Sequence, residues 1–326
     1  MWQNSQFRLG IAAILLIMFM PCPAPAQSLK TIPVPEPPVL WRYVRNKTIA
    51  IQLGKALFWD MQVGSDGMTA CATCHFHAGV DNRTINTLNP GTKGGDTLFD
   101  GSGGPNYTLT KQDFPFVKFN NPDQPDLGIL SEKNDIVGSQ GVPLMDFIDI
   151  VLGSAEEIGT PVADPVFNFG GANARQVTDR NSPSVINAAY NFASFFDGRA
   201  NNVFNGGSPF GPIDPNTRVF IRKPGGLTPI KMRIRNASLA SQAMAPPVSS
   251  VEMSWRGRTW SKIGKKMLSL RPLNKQVVHP QDSVLGTLSR SVYRTDGKLK
   301  NIKGLNKTYT YLIRNAFPGK YWGVTD

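Results

Sequence analysis

The feature that most constrains this chain is the pentapeptide Cys-Ala-Thr-Cys-His at residues 71–75. Two cysteines separated by two residues and followed directly by histidine form the attachment signature of a c-type haem. Each thiol can add to one vinyl group of the same porphyrin, and the histidine then lies beneath the iron. The motif therefore predicts Cys71 and Cys74 as covalent anchors and His75 as an axial ligand of the haem iron.

The same motif has three other interpretations: a redox-active dithiol, half of a zinc site, and chance. A zinc site needs further Cys or His ligands at short spacing, and the whole chain has only 3 Cys and 3 His. A thioredoxin-like dithiol would lie in a βαβ pattern, which the flanking sequence lacks. We therefore favour haem and keep the others as alternatives.

The N-terminus predicts export. A continuous apolar run at residues 9–20 follows Arg8, and residues 24–26 (Ala-Pro-Ala) form a small-residue cleavage site. The run is too short to span a bilayer comfortably, and a retained N-terminal anchor is the alternative. We expect a signal peptide at 1–26, a periplasmic protein and no transmembrane span after cleavage. Cleavage would remove Cys22, so that the mature chain keeps only the two thiols of the motif.

The charge of the chain limits its partners. The formal net charge is +12 at pH 7, which favours acidic proteins or anionic membrane surfaces as partners. Nucleic acid is the generic alternative, but an exported protein rarely meets it, so we expect no nucleic-acid partner. We interpret the basic run from Arg222 to Arg235 as a solvated face.

Apolar periodicity predicts a mostly helical chain. One helix follows the cap at Ser182-Pro183, and another follows a cap at Asp282 or Ser283. The periodicity of residues 143–153 fits either a short helix or a strand. The remaining helices are expected at 46–58, 237–253 (broken by two prolines), 259–270 and 305–317.

The domain organisation follows from composition. Glycine (31 residues) and proline (26 residues) are abundant, which predicts long irregular loops between packed elements. We expect an extended N-terminal arm at 27–45 and one haem domain over 46–326. Insertions are expected at about 84–178 and 201–236.

Three stretches together resemble one protein family. They are residues 53–79, which contain the motif, residues 180–200 (RNSPSVINAAYNFASFFDGRA) and residues 241–253 (SQAMAPPVSSVEM). In this order they resemble the N-terminal domain of the bacterial di-haem cytochrome c peroxidases, which include the MauG-type enzymes. The resemblance implies an all-α, cytochrome c-like domain that carries a peroxidatic haem.

The resemblance also implies roles for three residues. It assigns Glu252 as the acid/base beside the haem, with Gln242 nearby, and Asn181 as a ligand of a calcium ion between two haem domains. A carboxylate over the iron can take a proton from peroxide and return it to the leaving oxygen. The alternatives are a surface carboxylate, a helix-surface amide and a helix-entry residue, respectively.

The sequence departs from the family pattern at two places. Phe195-Phe196 replaces a Phe-Trp pair, which removes a tryptophan from any electron route there. The printed residues contain a single attachment motif, so we expect one covalent haem, an absent second haem domain, and poor turnover by this chain alone. Candidate sixth ligands are His77, His279, Met244 and Met253, although solvent exposure or core packing also explains each of them.

The sequence thus predicts a periplasmic c-type haem protein that reduces hydrogen peroxide. Its electrons would come from a small redox protein, a cytochrome c or a cupredoxin. A second haem domain is a further expected partner. The alternatives are a MauG-like oxidase that modifies a partner protein and a mono-haem electron carrier without turnover.

Overall fold

The structure is a computed structural model that describes residues 28–91, 97–100 and 103–322. Its contacts divide the chain into two units, residues 1–35 and residues 36–326. The described part of the first unit contains one 3₁₀ turn, Leu29–Thr31, and all that follows concerns the second. The predicted signal peptide lies outside the described residues. Within the described ranges, no helix is both long and apolar enough to cross a membrane.

The expectation of an all-α fold is wrong. The described residues contain five α-helices but also fourteen short strands. The helices are α1 (Lys47–Trp59), α2 (Cys71–His75), α3 (Ser238–Gln242), α4 (Trp260–Leu268) and α5 (Tyr309–Ala316). The 3₁₀ helices of the second unit are Leu40–Arg42, Met61–Val63, Lys111–Asp113, Pro125–Leu127, Ala188–Tyr190, Gly211–Ile213, Pro246–Val248, Gly286–Leu288 and Gly319–Tyr321.

The strands form seven separate two-stranded antiparallel sheets within the described residues. They are β1 (Leu88–Asn89), β2 (Val117–Phe119), β3 (Ile129–Glu132), β4 (Ile136–Val137), β5 (Gln140–Pro143), β6 (Met145–Asp149), β7 (Ile158–Pro161), β8 (Asn168–Phe169), β9 (Ala172–Asn173), β10 (Arg175–Val177), β11 (Val219–Lys223), β12 (Gly226–Ile230), β13 (Val292–Tyr293) and β14 (Leu299–Lys300). The pairs are β1–β4, β2–β3, β5–β10, β6–β7, β8–β9, β11–β12 and β13–β14.

Glycine-rich loops account for much of this difference. Gly225 and Gly226 have φ angles of +95° and +124° and join β11 to β12. Such left-handed residues close antiparallel strands within a few residues. The segment that composition indicated as irregular loop therefore folds into a ribbon, which a helix-period search does not detect.

Three of the predicted helices are confirmed, and local capping signals explain why. The Asn46 side chain accepts a hydrogen bond from the Ile49 amide at 3.1 Å and caps α1. Thr308 caps α5 in the same way, and Pro318 follows the end of that helix. The predicted helix at 259–270 is α4, and residues 145–149, left open between helix and strand, form β6.

Two other predicted helices are wrong. After Ser182-Pro183 only the 3₁₀ turn at 188–190 forms, and Asn187 before it has a left-handed φ of +60°. The Ser182 hydroxyl lies 2.9 Å from the Ser139 hydroxyl, so a tertiary contact replaces the expected cap. After Asp282 only the 3₁₀ turn at 286–288 forms, although the Asp282 side chain does accept backbone amides there.

The main core joins α1, α4 and α5. Asp60, directly after α1, is fully buried and accepts hydrogen bonds from the Tyr309 hydroxyl at 2.7 Å and the Leu273 amide at 2.8 Å. These contacts fix the end of α1 against α5, and the short loop from there leads into α2. Partly buried Cys71 packs on the same core, whose buried members include Leu53, Ala56, Met253, Ile263, Met267, Leu305, Tyr309, Leu312 and Ala316.

Candidate haem site

The loop before α2 is held by one carboxylate. Asp66 accepts hydrogen bonds from the Thr69 amide at 2.9 Å and from the Thr69 hydroxyl at 2.8 Å. The Arg175 guanidinium binds the same carboxylate at 2.8 Å and also donates to the Gly141 carbonyl at 2.6 Å. This network joins the loop to β5 and β10. The N-terminus of α2, which carries the motif, is therefore held in place against these two strands.

The two thiols lie one helical turn apart on α2 and are not joined by a disulfide. The Cys71 sulfur is 3.9 Å from the Met253 sulfur, and the Cys74 sulfur is 3.7 Å from the Gln140 carbonyl oxygen. Burial raises the pKa of Cys71 to about 11. Burial also raises the pKa of Cys74, although the Arg83 guanidinium 3.4 Å away opposes this.

These environments bear on the alternatives to haem. A redox-active dithiol normally has one thiol with a lowered pKa, whereas burial raises both values here. A zinc site needs several ligands together, and no group of three or more His, Cys, Asp or Glu in the described ranges could hold a metal ion. Both observations favour the attachment of haem.

The His75 ring is oriented by a backbone carbonyl. Its Nδ1 lies 3.1 Å from the Pro183 oxygen. Because a carbonyl oxygen only accepts, Nδ1 carries the proton and Nε2 keeps its lone pair, as an iron ligand requires. Burial is the largest influence on the pKa of His75 and lowers it, which keeps the ring neutral.

An apolar surface follows the residue that orients the histidine. Val185, Ile186, Phe192 and Phe196 are 43%, 62%, 77% and 69% exposed. A chain segment with this much exposed apolar area normally covers a ligand or a partner. Two free thiols, a histidine with free Nε2 and this surface together fit a covalently attached haem.

Glu252 lies on a segment that packs against β5. A Cβ added to Gly141 would come within 1.9 Å of the Val251 oxygen and 2.8 Å of the Glu252 Cα, so only glycine fits there. The preceding residue, Gln140, is the one whose carbonyl contacts Cys74. The Glu252 segment and the attachment helix therefore flank the same strand.

The Glu252 carboxyl is poised between its two protonation states. The side chain is partly buried, and its Oε2 is buried with no hydrogen-bond partner among the described residues. Burial raises its pKa to about 7, the positive charge of Arg199 opposes the rise, and the negative charge of Asp179 adds to it. A carboxyl with this pKa can both accept and donate a proton near neutral pH.

Arg199 is a site residue that sequence analysis missed. Its guanidinium lies 4.0 Å from the centroid of the Phe195 ring and 3.0 Å from the Asp197 carboxylate. Phe195 has a φ of +63°, a conformation that bulky residues adopt only where the surroundings impose it. The sequence did contain a signal for it: the Asp-Gly-Arg triplet at 197–199 lies within residues 180–200, one of the three stretches that resemble the family.

One comparison with known proteins decides the family. The model of the family described as di-haem cytochrome c peroxidase matches residues 48–113 and 155–293. The chain belongs to the di-haem cytochrome c peroxidase family. The resemblance inferred from the three stretches is therefore confirmed, and with it haem c binding and peroxidase-type oxidoreductase chemistry in general. No curated protein and no solved structure matched the chain.

Gln242 and Asn181, the two other residues to which the resemblance assigned roles, lie on different elements of the fold. Gln242 is the last residue of α3 and is partly buried. The Asn181 amide donates to the Asp81 carbonyl at 3.1 Å, and its Oδ1 is buried with no partner among the described residues. An unpaired amide oxygen is a suitable calcium ligand, but it would be one ligand of several.

The four candidate sixth ligands differ in exposure, and Met244 is partly buried. His77 and His279 are both exposed. The Nδ1 atom of His77 accepts the Gly79 amide at 2.9 Å, and that of His279 accepts the Gln281 amide at 3.1 Å. Met253 belongs to the buried core. The two histidines thus contact their own loops, and Met253 packs beside Cys71.

A buried cluster of charges supports the loop that carries Glu252. The side chains of Arg258, Glu157 and Lys266 are all 0% exposed, and Oε1 of Glu157 lies 2.8 Å and 2.6 Å from the two cations. Its Oε2 is buried without a partner in the described structure. Arg258 also donates to the Pro247 carbonyl at 2.6 Å and the Met253 carbonyl at 3.2 Å. These two carbonyls bracket residue 252.

Proposed function

We propose that this protein is a periplasmic c-type cytochrome peroxidase. It reduces hydrogen peroxide to water with electrons from a small redox protein, a cytochrome c or a cupredoxin. Family membership supports the reaction class. The observation that carries the proposal is the buried carboxyl of Glu252, whose pKa of about 7 suits proton transfer at neutral pH.

One haem c would be held by three residues of α2. Cys71 and Cys74 would form the thioether bonds, and Nε2 of His75 would bind the iron. The bond from His75 Nδ1 to the Pro183 carbonyl supports this role, because it fixes the ring and increases its basicity. Haem bound here would supply the iron at which the oxygen–oxygen bond of peroxide is cleaved.

The remaining residues handle protons and charge. Peroxide reduction consumes two electrons and two protons and yields two waters. Glu252 would take a proton from one oxygen of peroxide and return it to the other, which leaves as water. The positive charge of Arg199 favours the ionised form of Glu252 and stabilises negative charge that develops nearby. Gln242 is proposed as a hydrogen-bond donor to peroxide.

A mono-haem electron carrier is the weaker candidate. A carrier needs no proton-accepting group beside its haem, and an unpaired buried carboxyl would only destabilise it. The partly buried Glu252 with its unpartnered Oε2 therefore favours an enzyme. Calcium at Asn181 stays a prediction, supported by one unpaired oxygen of that side chain.

The test compares Glu252→Gln with Glu156→Gln, which removes an exposed carboxylate. Both variants should carry a full complement of covalent haem, measured as the pyridine haemochrome. Glu252→Gln should react with peroxide about 10²- to 10⁴-fold more slowly in stopped-flow measurements, and Glu156→Gln should react normally. Equal rates in all three proteins would overturn the assignment of Glu252.

A further inference from the structure

The segment between Asp214 and Glu252 is strongly and uniformly basic. It contains no acidic residue. Its basic residues are Arg218, Arg222, Lys223, Lys231, Arg233 and Arg235. The sequence alone is compatible with a solvated face, but the fold arranges these charges around an apolar surface.

The hairpin of β11 and β12 presents one face to solvent. Phe220 pairs with Pro229, and Arg222 pairs with Leu227, so these four side chains share one face of the ribbon. Phe220 is 58% exposed and Leu227 is 51% exposed, whereas Ile221, on the opposite face, is buried. The hairpin thus turns an aromatic and an aliphatic side chain outward.

The chain that follows β12 adds a row of positive charges. Lys231, Arg233 and Arg235 are exposed, and Ile234 between the last two is partly buried. Ile234 exchanges both backbone hydrogen bonds with Phe204, at 2.8 Å and 3.0 Å, so this stretch is extended. Alternate residues of an extended chain lie about 7 Å apart on one side, which places the three cations in a line.

Four of the cations in this segment lack a counter-ion among the described residues. In the part of the chain that the structure describes, Lys223, Lys231, Arg233 and Arg235 form no ion pair. A cluster of unpaired cations attracts negative partners and raises their rate of association. We use the term docking face for the following exposed set: Phe220, Arg222, Leu227, Pro229, Lys231, Arg233 and Arg235.

The docking face is joined directly to the candidate site. Where the basic row ends, the Ala237 amide donates to the Asn202 carbonyl at 3.0 Å. The Ser241 hydroxyl donates to the Asn201 carbonyl at 2.7 Å. Ser241 precedes Gln242 on α3, and Asn201 follows Arg199 by two residues. A partner bound to the docking face would therefore contact segments that continue into the proposed peroxide site.

We propose that the docking face binds the electron donor and that this donor is an acidic protein. This inference rests on the proposed function, which requires a small redox partner. An apolar centre with a charged rim, rich in Arg and aromatic side chains, is the anatomy of a protein–protein interface. Paired with a negative partner, the cations steer the encounter and set its orientation.

An anionic lipid surface fits the geometry less well. A hairpin that inserts into a bilayer needs apolar side chains at its tip. The tip here is Lys223-Pro224-Gly225-Gly226, which has no large apolar side chain. Phe220 and Leu227 lie instead on the flat of the ribbon, where they can pack against a protein but reach only shallowly into a membrane.

The experiment uses the haem-loaded protein and two reduced probes, an acidic cupredoxin and a basic cytochrome c. Binding is measured by calorimetry, and donor oxidation with peroxide is measured at several ionic strengths. The test variant combines Lys231→Glu, Arg233→Glu and Arg235→Glu. The control combines Lys298→Glu, Lys300→Glu and Lys303→Glu, which changes the net charge equally at another exposed site.

We expect the wild-type protein to bind the acidic probe more tightly than the basic one, and less tightly as salt increases. The test variant should lose about 10-fold or more in affinity and in kcat/KM at low ionic strength, and the control should lose at most a few-fold. The double variant Phe220→Ala with Leu227→Ala should weaken binding of the acidic probe at all salt concentrations.

Four results would overturn the inference. Equal losses in the test variant and the control would mean that only net charge matters. A preference for the basic probe would mean that the donor is a basic protein and not an acidic one. Binding to vesicles of anionic phospholipid without binding to the acidic probe would assign the face to lipid. The donor-independent reaction with peroxide is followed separately: its absence would refute the proposed function, whereas its presence with no donor binding would refute only the docking face.

Discussion

Replacing Glu252 by glutamine should make the protein more stable and less active. Burial raises the pKa of this carboxyl from 4.5 to about 7. At 1.36 kcal/mol per unit, a rise of this size corresponds to about 3 kcal/mol of folding free energy. The charged carboxylate carries this cost in the native state, and the neutral amide of glutamine avoids it.

The sign of the effect follows from proton binding. Between about pH 4.5 and pH 7 the native state holds a proton that the unfolded chain has released. The free energy of unfolding therefore falls as pH rises through this window and levels off above it. At pH 4 the wild-type protein and Glu252→Gln should have similar stability, and at pH 8 the variant should be more stable by about 3 kcal/mol.

The assay is urea unfolding of the haem-loaded ferric proteins at pH values from 4 to 8, with the exposed Glu156→Gln as the control. In parallel, the rate of reaction with peroxide should rise through about pH 7 in the wild-type protein and stay low and flat in Glu252→Gln. A stability difference that is the same at pH 4 and pH 8 would refute the burial argument. A pH-dependent difference without a loss of rate would show a buried carboxyl that is not the acid/base.

Three further predictions concern the surroundings of this group. Cys74→Ser should leave at most one thioether bond. A shifted pyridine haemochrome band would show that Cys71 alone holds the haem, haem lost to acidic solvent would show that no bond forms, and an unshifted band with full covalent haem would contradict the motif. Arg199→Gln should raise the pH midpoint of the rate of reaction with peroxide above that of the wild-type protein, because the positive charge that lowers the pKa of Glu252 is removed. An unmoved pH profile would exclude this coupling. Arg258→Met should lower the free energy of unfolding by about 3 to 5 kcal/mol, because it leaves Glu157 buried with one cation, while Lys262→Met at an exposed ion pair should cost at most about 1 kcal/mol.

Local signals were sufficient for the parts of the fold that depend on neighbouring residues. The caps of α1 and α5 are hydrogen bonds between residues three apart: the Ile49 amide donates to the Asn46 side chain, and the Tyr311 amide donates to the Thr308 side chain. The attachment motif lies within five residues. In each case the interacting groups are visible in a short window of sequence.

The predictions failed where distant contacts decide the conformation. Ser182 and Pro183 have the composition of a helix start, but the Ser182 hydroxyl is held by Ser139, and the Pro183 carbonyl is used by His75, 108 residues away. Helix propensity over one turn amounts to a few tenths of a kcal/mol per residue. Several tertiary hydrogen bonds together exceed that preference.

The candidate site was found only in part for the same reason. The attachment motif indicated the haem-binding residues, and likeness to the family indicated Glu252. Neither gave a partner for His75 or a counter-charge for Glu252. Arg199 and the Pro183 carbonyl reach the site through folding of residues 180–200, which local pattern indicated as a helix. The buried ion pairs of Glu157 join residues about 100 positions apart, and their charges look like surface residues in the sequence.

Glu157 and Glu252 differ in what surrounds their carboxyl groups, and this difference fits the roles proposed for them. Glu157 shares one oxygen between the Arg258 and Lys266 cations, so its charge is compensated and held in place. Glu252 has no cation within hydrogen-bonding distance among the described residues, and Arg199, the positive charge that acts on it, is already paired with Asp197. A compensated charge fixes structure, whereas an uncompensated one can change its protonation at low cost. Because Arg258 also holds the carbonyls of Pro247 and Met253, the first carboxyl keeps the second one buried, and thereby keeps its pKa near neutrality.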